Sequence, residues 1–325
     1  MIDTLQIYIA RSFDPYENLA VEKYLLDTVP ENACTLYLWQ NENTVVIGRN
    51  QNAWAQCRTS LLEEEGVRLA RRLSGGGAVF HDLGNLNFTF LCSSEKYDLN
   101  KQLEVIKTAC SYAGISAEIS GRNDILADGR KFSGNAFYNS KGKSYHHGTI
   151  LINADMEKMA RYLTPPKAKL EAKGVKSVKS RTINLCTLSP TLTCNDMKNY
   201  MVQAFKEVYS KPITVINTIN NEEIFKLAEK YKSREYLYDT PMSISFSCEK
   251  YFGWGTVRIE LQVSDGEIKD VRLYTDAMDH SLPQRVSSAL ISCRFNKDDI
   301  KSALYSALPE NIAMDLTELL ENEIL

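Results

Sequence analysis

Residues 71–82 read Arg71-Arg72-Leu73-Ser74-Gly75-Gly76-Gly77-Ala78-Val79-Phe80-His81-Asp82. Three successive glycines stand between two strand-like runs, Val67–Arg72 and Ala78–His81. Glycine inside a strand costs roughly 0.5–1 kcal/mol relative to alanine, so the triplet marks a backbone that needs φ > 0 or a very close neighbour. A dinucleotide fold is excluded, because G-x-G-x-x-G leads from a strand into a helix, whereas these adjacent glycines lead into another strand. A Walker A loop is excluded as well: Gly142-Lys143-Ser144 supplies its end, but Phe137 occupies the position of its first glycine. The reading that remains is a glycine-rich hairpin whose N–H groups form an anion-binding concavity. Arg72 would add a bidentate phosphate donor. A flexible, solvent-exposed loop is the competing reading.

Outward from this stretch the chain reads as alternating strands and helices. Asp14-Pro15-Tyr16-Glu17 is a helix start, with an Asp cap and Pro at the first helical position, and the helix should stop before Pro30. Thr35–Gln40 and Thr44–Gly48 are strands, and Asn41-Glu42-Asn43 between them reads as a hairpin turn. Leu86–Cys92 and Tyr145–Asn153 read as further strands, and Lys101–Gly114 as a helix. Asp128-Gly129 suits the two positive φ angles of a type I′ turn joining Ile125 to Phe132. Helices are expected at Ala154–Leu163, Asp196–Tyr209 and Glu222–Tyr231. Lys232–Tyr251 has no clear period and reads as a linker. Beyond it, Val257, Ile259, Leu261 and Val263 share one face of a strand, Asp265-Gly266 turns into a second, and two or three amphipathic helices follow from Leu282. The order predicts a mixed α/β domain over residues 1–245 and a small α+β module over residues 246–325.

Composition narrows the function. The 325 residues carry a net charge of −3, with 44% hydrophobic and 24% charged residues, so no basic excess argues for nucleic acid. No apolar run approaches the ~20 residues needed to span a bilayer, and the N-terminus has no signal-peptide core. Eight cysteines and four histidines show no CxxC pair and no zinc spacing. The expectation is reduced thiols in a cytoplasmic protein.

Several segments are together recognisable. Residues 71–82, Gly121-Arg122-Asn123-Asp124-Ile125, Arg130-Lys131-Phe132-Ser133-Gly134-Asn135-Ala136, His146-His147-Gly148-Thr149-Ile150-Leu151, the basic run Lys167–Arg181 continuing into Thr182-Ile183-Asn184-Leu185, and Phe252-Gly253-Trp254-Gly255 occur in this order. The chain resembles the lipoate–protein ligase A family along its whole length. The resemblance implies a lipoyl/biotinyl ligase fold related to class II tRNA synthetases. It also implies a two-step reaction: lipoate and MgATP give lipoyl-AMP and pyrophosphate, and a lysine of a lipoyl acceptor domain then takes the lipoyl group. Acceptors implied are 2-oxoacid dehydrogenase complexes or the glycine-cleavage H protein, without nucleic acid or membrane.

The residues suit that chemistry. Pressing a carboxylate against an α-phosphate requires a fixed cation, and Lys131 is the candidate catalytic group, a compact charge able to touch both oxygens. On a regular strand Lys131 and Ser133 would share a face while Phe132 points into the core. Arg72 and the Gly77-Ala78-Val79-Phe80 backbone are expected to hold ATP and lipoyl-AMP, and Gly75 and Gly76, with Lys131, the lipoate. Val79 and the strand Leu86–Phe90 could line a greasy tunnel for the methylene chain. His81, His146 and His147 are either proton shuttles or hydrogen-bonded wall residues. Asp124 could orient Mg²⁺ or an amine, and magnesium itself would be held largely by ATP phosphates and water. The basic run Lys167–Arg181 is expected to close as a lid on nucleotide. The rivals are an ATP-independent octanoyl- or lipoyl-transferase, whose catalytic cysteine has no counterpart here because Cys186 in Ile-Asn-Leu-Cys reads as core, and a non-enzymatic lipoate- or nucleotide-binding sensor.

Overall fold

The computed structural model describes residues 2–121, 123–164, 182–238 and 242–323. Its first long helix, Pro15–Thr28, starts where the cap places it: the Asp14 carboxylate accepts from the Tyr16 and Glu17 amides. The strands up to residue 215 are β1 (Thr4–Ile9), β2 (Ala33–Trp39), β3 (Thr44–Ile47), β4 (Arg68–Arg71), β5 (Val79–His81), β6 (Asn85–Ser93), β7 (Glu118–Ser120), β8 (Asp124–Ala127), β9 (Arg130–Ser140), β10 (Lys143–Leu151) and β11 (Ile213–Val215). Among the described residues eight of them form one mixed sheet in the order β11-β1-β2-β6-β10-β9-β8-β7. β1 runs parallel to β2 and β11, and the remaining neighbours are antiparallel.

Strand periodicity feeds two cores from this sheet. On β2, Cys34, Leu36 and Leu38 face one side, where Phe88 and Phe90 of β6 meet the helices Leu99–Tyr112 and Cys194–Tyr209. Tyr37 and Trp39 face the other, under the helices Pro15–Thr28 and Asn221–Lys232. The alternation is the period-two rule of a strand covered on both faces.

Two expected hairpins are absent. Asn41-Glu42-Asn43 does not pair its flanking strands: β2 belongs to the large sheet, and β3 to a separate three-stranded sheet ordered β4-β3-β5. In that sheet β3 is parallel to β4 and antiparallel to β5. The glycine stretch is therefore no hairpin, since β4 and β5 lie on opposite sides of β3 and the glycines cross over its end. The supposed linker also holds structure, namely the helical turn Arg234–Leu237 and the strand β12 (Phe246–Phe252). β12 pairs with β13 (Gly255–Ser264), and β13 with β14 (Glu267–Thr275), across an Asp265-Gly266 turn with φ of 56° and 72°. Three helices, Leu282–Leu290, Lys297–Ala307 and Glu310–Glu323, bury Leu282, Val286, Leu290, Ile300, Leu304 and Leu316 against Val257, Ile259 and Leu261. This hydrophobic core draws on residues 246–320 alone.

Candidate active site

The glycine turn is shaped from beneath by Arg72. Its guanidinium donates to the carbonyl oxygens of Gly75 (2.8 Å), Gly77 (2.8 Å) and Val46 (3.3 Å), and through Nε to Ser74 Oγ (3.1 Å). Burial lowers its pKa to about 10, which leaves it charged at neutral pH. A trans peptide that turns its carbonyl toward Arg72 turns the following N–H away. The Gly76 and Ala78 amides therefore project from the far side of the turn. Gly76 takes φ of 90°, the conformation that glycine supplies without strain. Its N–H donates to Ala277 O, at the end of β14 (3.3 Å). Gly75 is small for a different reason: a Cβ there would lie 2.2 Å from the same Ala277 oxygen.

The turn lies over one face of the large sheet. A Cβ on Gly76 would reach to 3.9 Å from Ala136 Cβ of β9, and Ser74 Oγ meets His147 Nε2 of β10 at 2.8 Å. Lys131 is on this face too, because a Cβ on Gly134 would come to 3.0 Å from its ammonium. Lys131 Nζ is 2.6 Å from Asp124 Oδ1 on β8, and the two side chains are 35% and 38% exposed. The face-sharing expected of Lys131 and Ser133 fails. The β8–β9 register slips between Ile125 and Leu126, pairing Ile125 with Ser133 and Leu126 with Lys131. The extra residue is a β-bulge that buries Phe132 and Ser133 together and leaves Lys131 with Gly134. The two motifs meet through amides: Asn135 N donates to Asn123 O at 2.8 Å and Asn123 Nδ2 to Asn135 O at 3.2 Å. Ile183 N donates to Lys131 O at 2.9 Å. Arg122 and the basic run Lys167–Arg181 lie outside the described residues.

The other expected residues divide. Gly77, Ala78 and Val79 are half-buried at the turn, whereas the Phe80 ring is buried against Tyr162. Leu86, Phe88 and Phe90 point into the core on the opposite face, away from the glycine turn, so they do not line a tunnel with Val79. His146 is on that opposite face, boxed by Phe88, Phe90 and Phe137. Burial lowers the pKa of His146 to about 3, and does the same for His81. His81 Nδ1 takes the Asn41 amide at 3.2 Å. Of these three histidines, His147 is the one bonded to the glycine turn. Cys186 is half-buried rather than core, its thiol 3.5 Å from Asn153 Oδ1. Sequence reading missed Glu22, a buried carboxylate 2.8 Å from His147 Nδ1. The signal was present, since Glu22 follows Asn18 by one helical turn beside the apolar Ala20, Val21 and Leu25. Among the described residues no three His, Cys, Asp or Glu side chains gather to hold a metal ion, and none of their helices is long and apolar enough to cross a membrane.

Known proteins share this fold and domain order. Residues 14–206 match the family model described as Lipoyl protein ligase A/B catalytic domain, and residues 242–322 that described as Bacterial lipoate protein ligase C-terminus. The lipoate-protein ligase A of Bdellovibrio bacteriovorus is 37% identical over 321 residues, covering 96% of this chain and 95% of that protein. The structure of P. falciparum LipL1 in complex with lipoate superposes with a TM-score of 0.87 at 28% identity, covering 99% of this chain and all of that one. A bipartite lipoate protein ligase from Thermoplasma acidophilum, studied with its E2 lipoyl domain, shares the fold over 76% of this chain and 100% of its own, with a TM-score of 0.63 at 23% identity. With a ligase catalytic domain and a ligase C-terminus matched in order along one chain, the protein belongs to the lipoate–protein ligase A family of enzymes.

Proposed function

We propose that the enzyme activates lipoate, or octanoate, with ATP and transfers the acyl group to a lysine of a lipoyl acceptor domain, in a 2-oxoacid dehydrogenase complex or the glycine-cleavage H protein of the cytoplasm. In the first step a lipoate carboxylate oxygen bonds to the α-phosphorus as the bond to pyrophosphate breaks. In the second the acceptor amine bonds to the acyl carbon, the bond to the AMP oxygen breaks, and the amine gives up a proton. Charge builds on the carbonyl and α-phosphate oxygens in both steps, so one fixed cation between them lowers both barriers.

The observation that carries this reading is Lys131 held by Asp124 on the sheet face that the glycine turn covers. Lys131 is the proposed catalytic cation. Arg72, Gly77, Ala78, Val79 and Phe80 would hold the nucleotide and the adenylate. Arg72 does so by fixing the turn and Phe80 by its backbone, because the ring is buried. Gly75 and Gly76 would contact lipoate. Magnesium would arrive as part of MgATP, on phosphate and water ligands. We place the catalytic domain at residues 1–245 and the accessory domain at residues 246–325. The match of residues 242–322 to a ligase C-terminus favours this reading over an ATP-independent transferase. Pyrophosphate release decides it: with lipoate and ATP but no acceptor, one equivalent per enzyme is expected, and an added acceptor domain should then become lipoylated. Lipoyl transfer without ATP would establish the transferase, and neither activity would leave a binding protein.

A further inference from the structure

The Glu22 carboxylate, the His147 imidazole and the Ser74 hydroxyl are in series, each spacing 2.8 Å. We infer that they form a buried positioning relay that holds the glycine turn in its substrate-binding shape; this rests on the ligase reading for its catalytic consequence.

One assignment of donors and acceptors satisfies the whole series. Glu22 Oε1 accepts from Thr89 Oγ1 at 2.7 Å, and Thr89 Oγ1 in turn accepts from Trp39 Nε1 at 3.0 Å. In this assignment the carboxylate only accepts, and a neutral His147 ring donates through Nδ1 and accepts at Nε2. Ser74 Oγ then supplies the proton to Nε2 and accepts from Arg72 Nε at 3.1 Å. Arg72 then holds the Gly75 and Gly77 carbonyls. In this series the hydrogens point one way, from Arg72 and Ser74 at the turn through His147 on β10 to Glu22 on the helix Pro15–Thr28. Ser74 is wholly buried and Glu22 is 1% exposed, so neither reaches substrate. The arrangement resembles an acylating triad in its spacings, but a hydroxyl with no exposed surface is no nucleophile, and its one task is to place the backbone that follows it.

Kinetics and NMR on the full-length enzyme test this. Ser74→Ala and Glu22→Gln should each raise KM for ATP and for lipoate at least tenfold while kcat falls no more than threefold. The double variant should be no worse than the worse single one, because both act through His147. In ¹⁵N-histidine-labelled protein without substrates, His147 should be the Nδ1–H tautomer with a low-field proton that moves upfield in Glu22→Gln. Amide exchange at Gly76 should quicken at least tenfold in either variant. Unchanged KM values, additive losses, an Nε2–H ring or unaltered exchange would each overturn the relay. If wild type ligates nothing, the ligase reading falls, and the tautomer and exchange still decide the relay.

Discussion

Lys131 is 35% exposed and its ion pair with Asp124 is equally open to water, so the pair contributes only about 0–1 kcal/mol to stability. Its placement matters more than its energy. The bulge that buries Phe132 and Ser133 puts the lysine on the side of the strand where Gly134 leaves room for it. Lys131→Ala should accordingly fold as wild type does, with Phe132 still in the core and Ile183 still bonded to the main chain. Losing one charge contact to a transition state costs on the order of 3–4 kcal/mol, or 10²–10³ in rate. Adenylation should fall by that factor, and so should single-turnover transfer from synthetic lipoyl-AMP. Lys131→Arg should restore little, because a planar fork cannot sit at one point between two oxygens. A normal transfer rate in well-folded Lys131→Ala would assign the charge to another residue.

Two strands carry histidines whose titration is set by the element around them. His146 on β10 and His81 on β5 are buried, and desolvation lowers each pKa to about 3 from the ordinary value near 6.5. The unfolded chain takes up these protons near pH 6.5, while the folded protein does so only near 3. Stability is therefore full above about pH 6.5 and falls as acid is added, on the order of 1 kcal/mol per pH unit for each ring. The urea midpoint should drop between pH 7 and 5.5, above most carboxylate titrations, and His146→Gln should flatten that drop; a constant midpoint would contradict it. At this scale the sequence was legible wherever a local rule acts alone. Asp14 caps its helix, Asp128-Gly129 turns with φ of 51° and 67°, and Val257, Ile259, Leu261 and Val263 of β13 pack into one core as read. It was illegible where partner choice is non-local. The hairpins expected at Asn41–Asn43 and at the glycines failed because β3 sits between β4 and β5, and no nearby residue encodes that order. The bulge at Phe132 escaped for the same reason, and so did the partner of Glu22: the helix face signalled its burial, but His147 comes from another element. Lys131 itself was found through its motif.

On the scale of the whole molecule, the accessory module reaches the catalytic domain through its own turn region. Thr275 N donates to Asn50 O at 2.9 Å, Asn50 Nδ2 to His280 O at 3.0 Å, and Gly76 N to Ala277 O at 3.3 Å, with the His280 ring 4.6 Å from that of Tyr138. The module's own core takes nothing from the catalytic domain, so it can shift without unfolding. The Gly76 bond is the telling one. Ala277 O occupies an amide that the anion-cradle reading assigns to substrate, so docking of the module and filling of the turn compete for a single donor. Gly75 makes the docked arrangement testable. Its φ lies outside the left-handed region, so alanine fits the backbone, but a Cβ would meet Ala277 O at 2.2 Å and Met278 O at 3.1 Å. Those obstacles are main chain and can move only with the module. Gly75→Ala should keep the far-UV circular dichroism of wild type while increasing the radius of gyration in small-angle scattering. Amide exchange at Gly76 and Thr275 should accelerate together, and protection within β13 should stay as it is. Unchanged scattering and exchange in a folded Gly75→Ala protein would mean that the turn itself yields, and that the module is not held by the contact at Ala277.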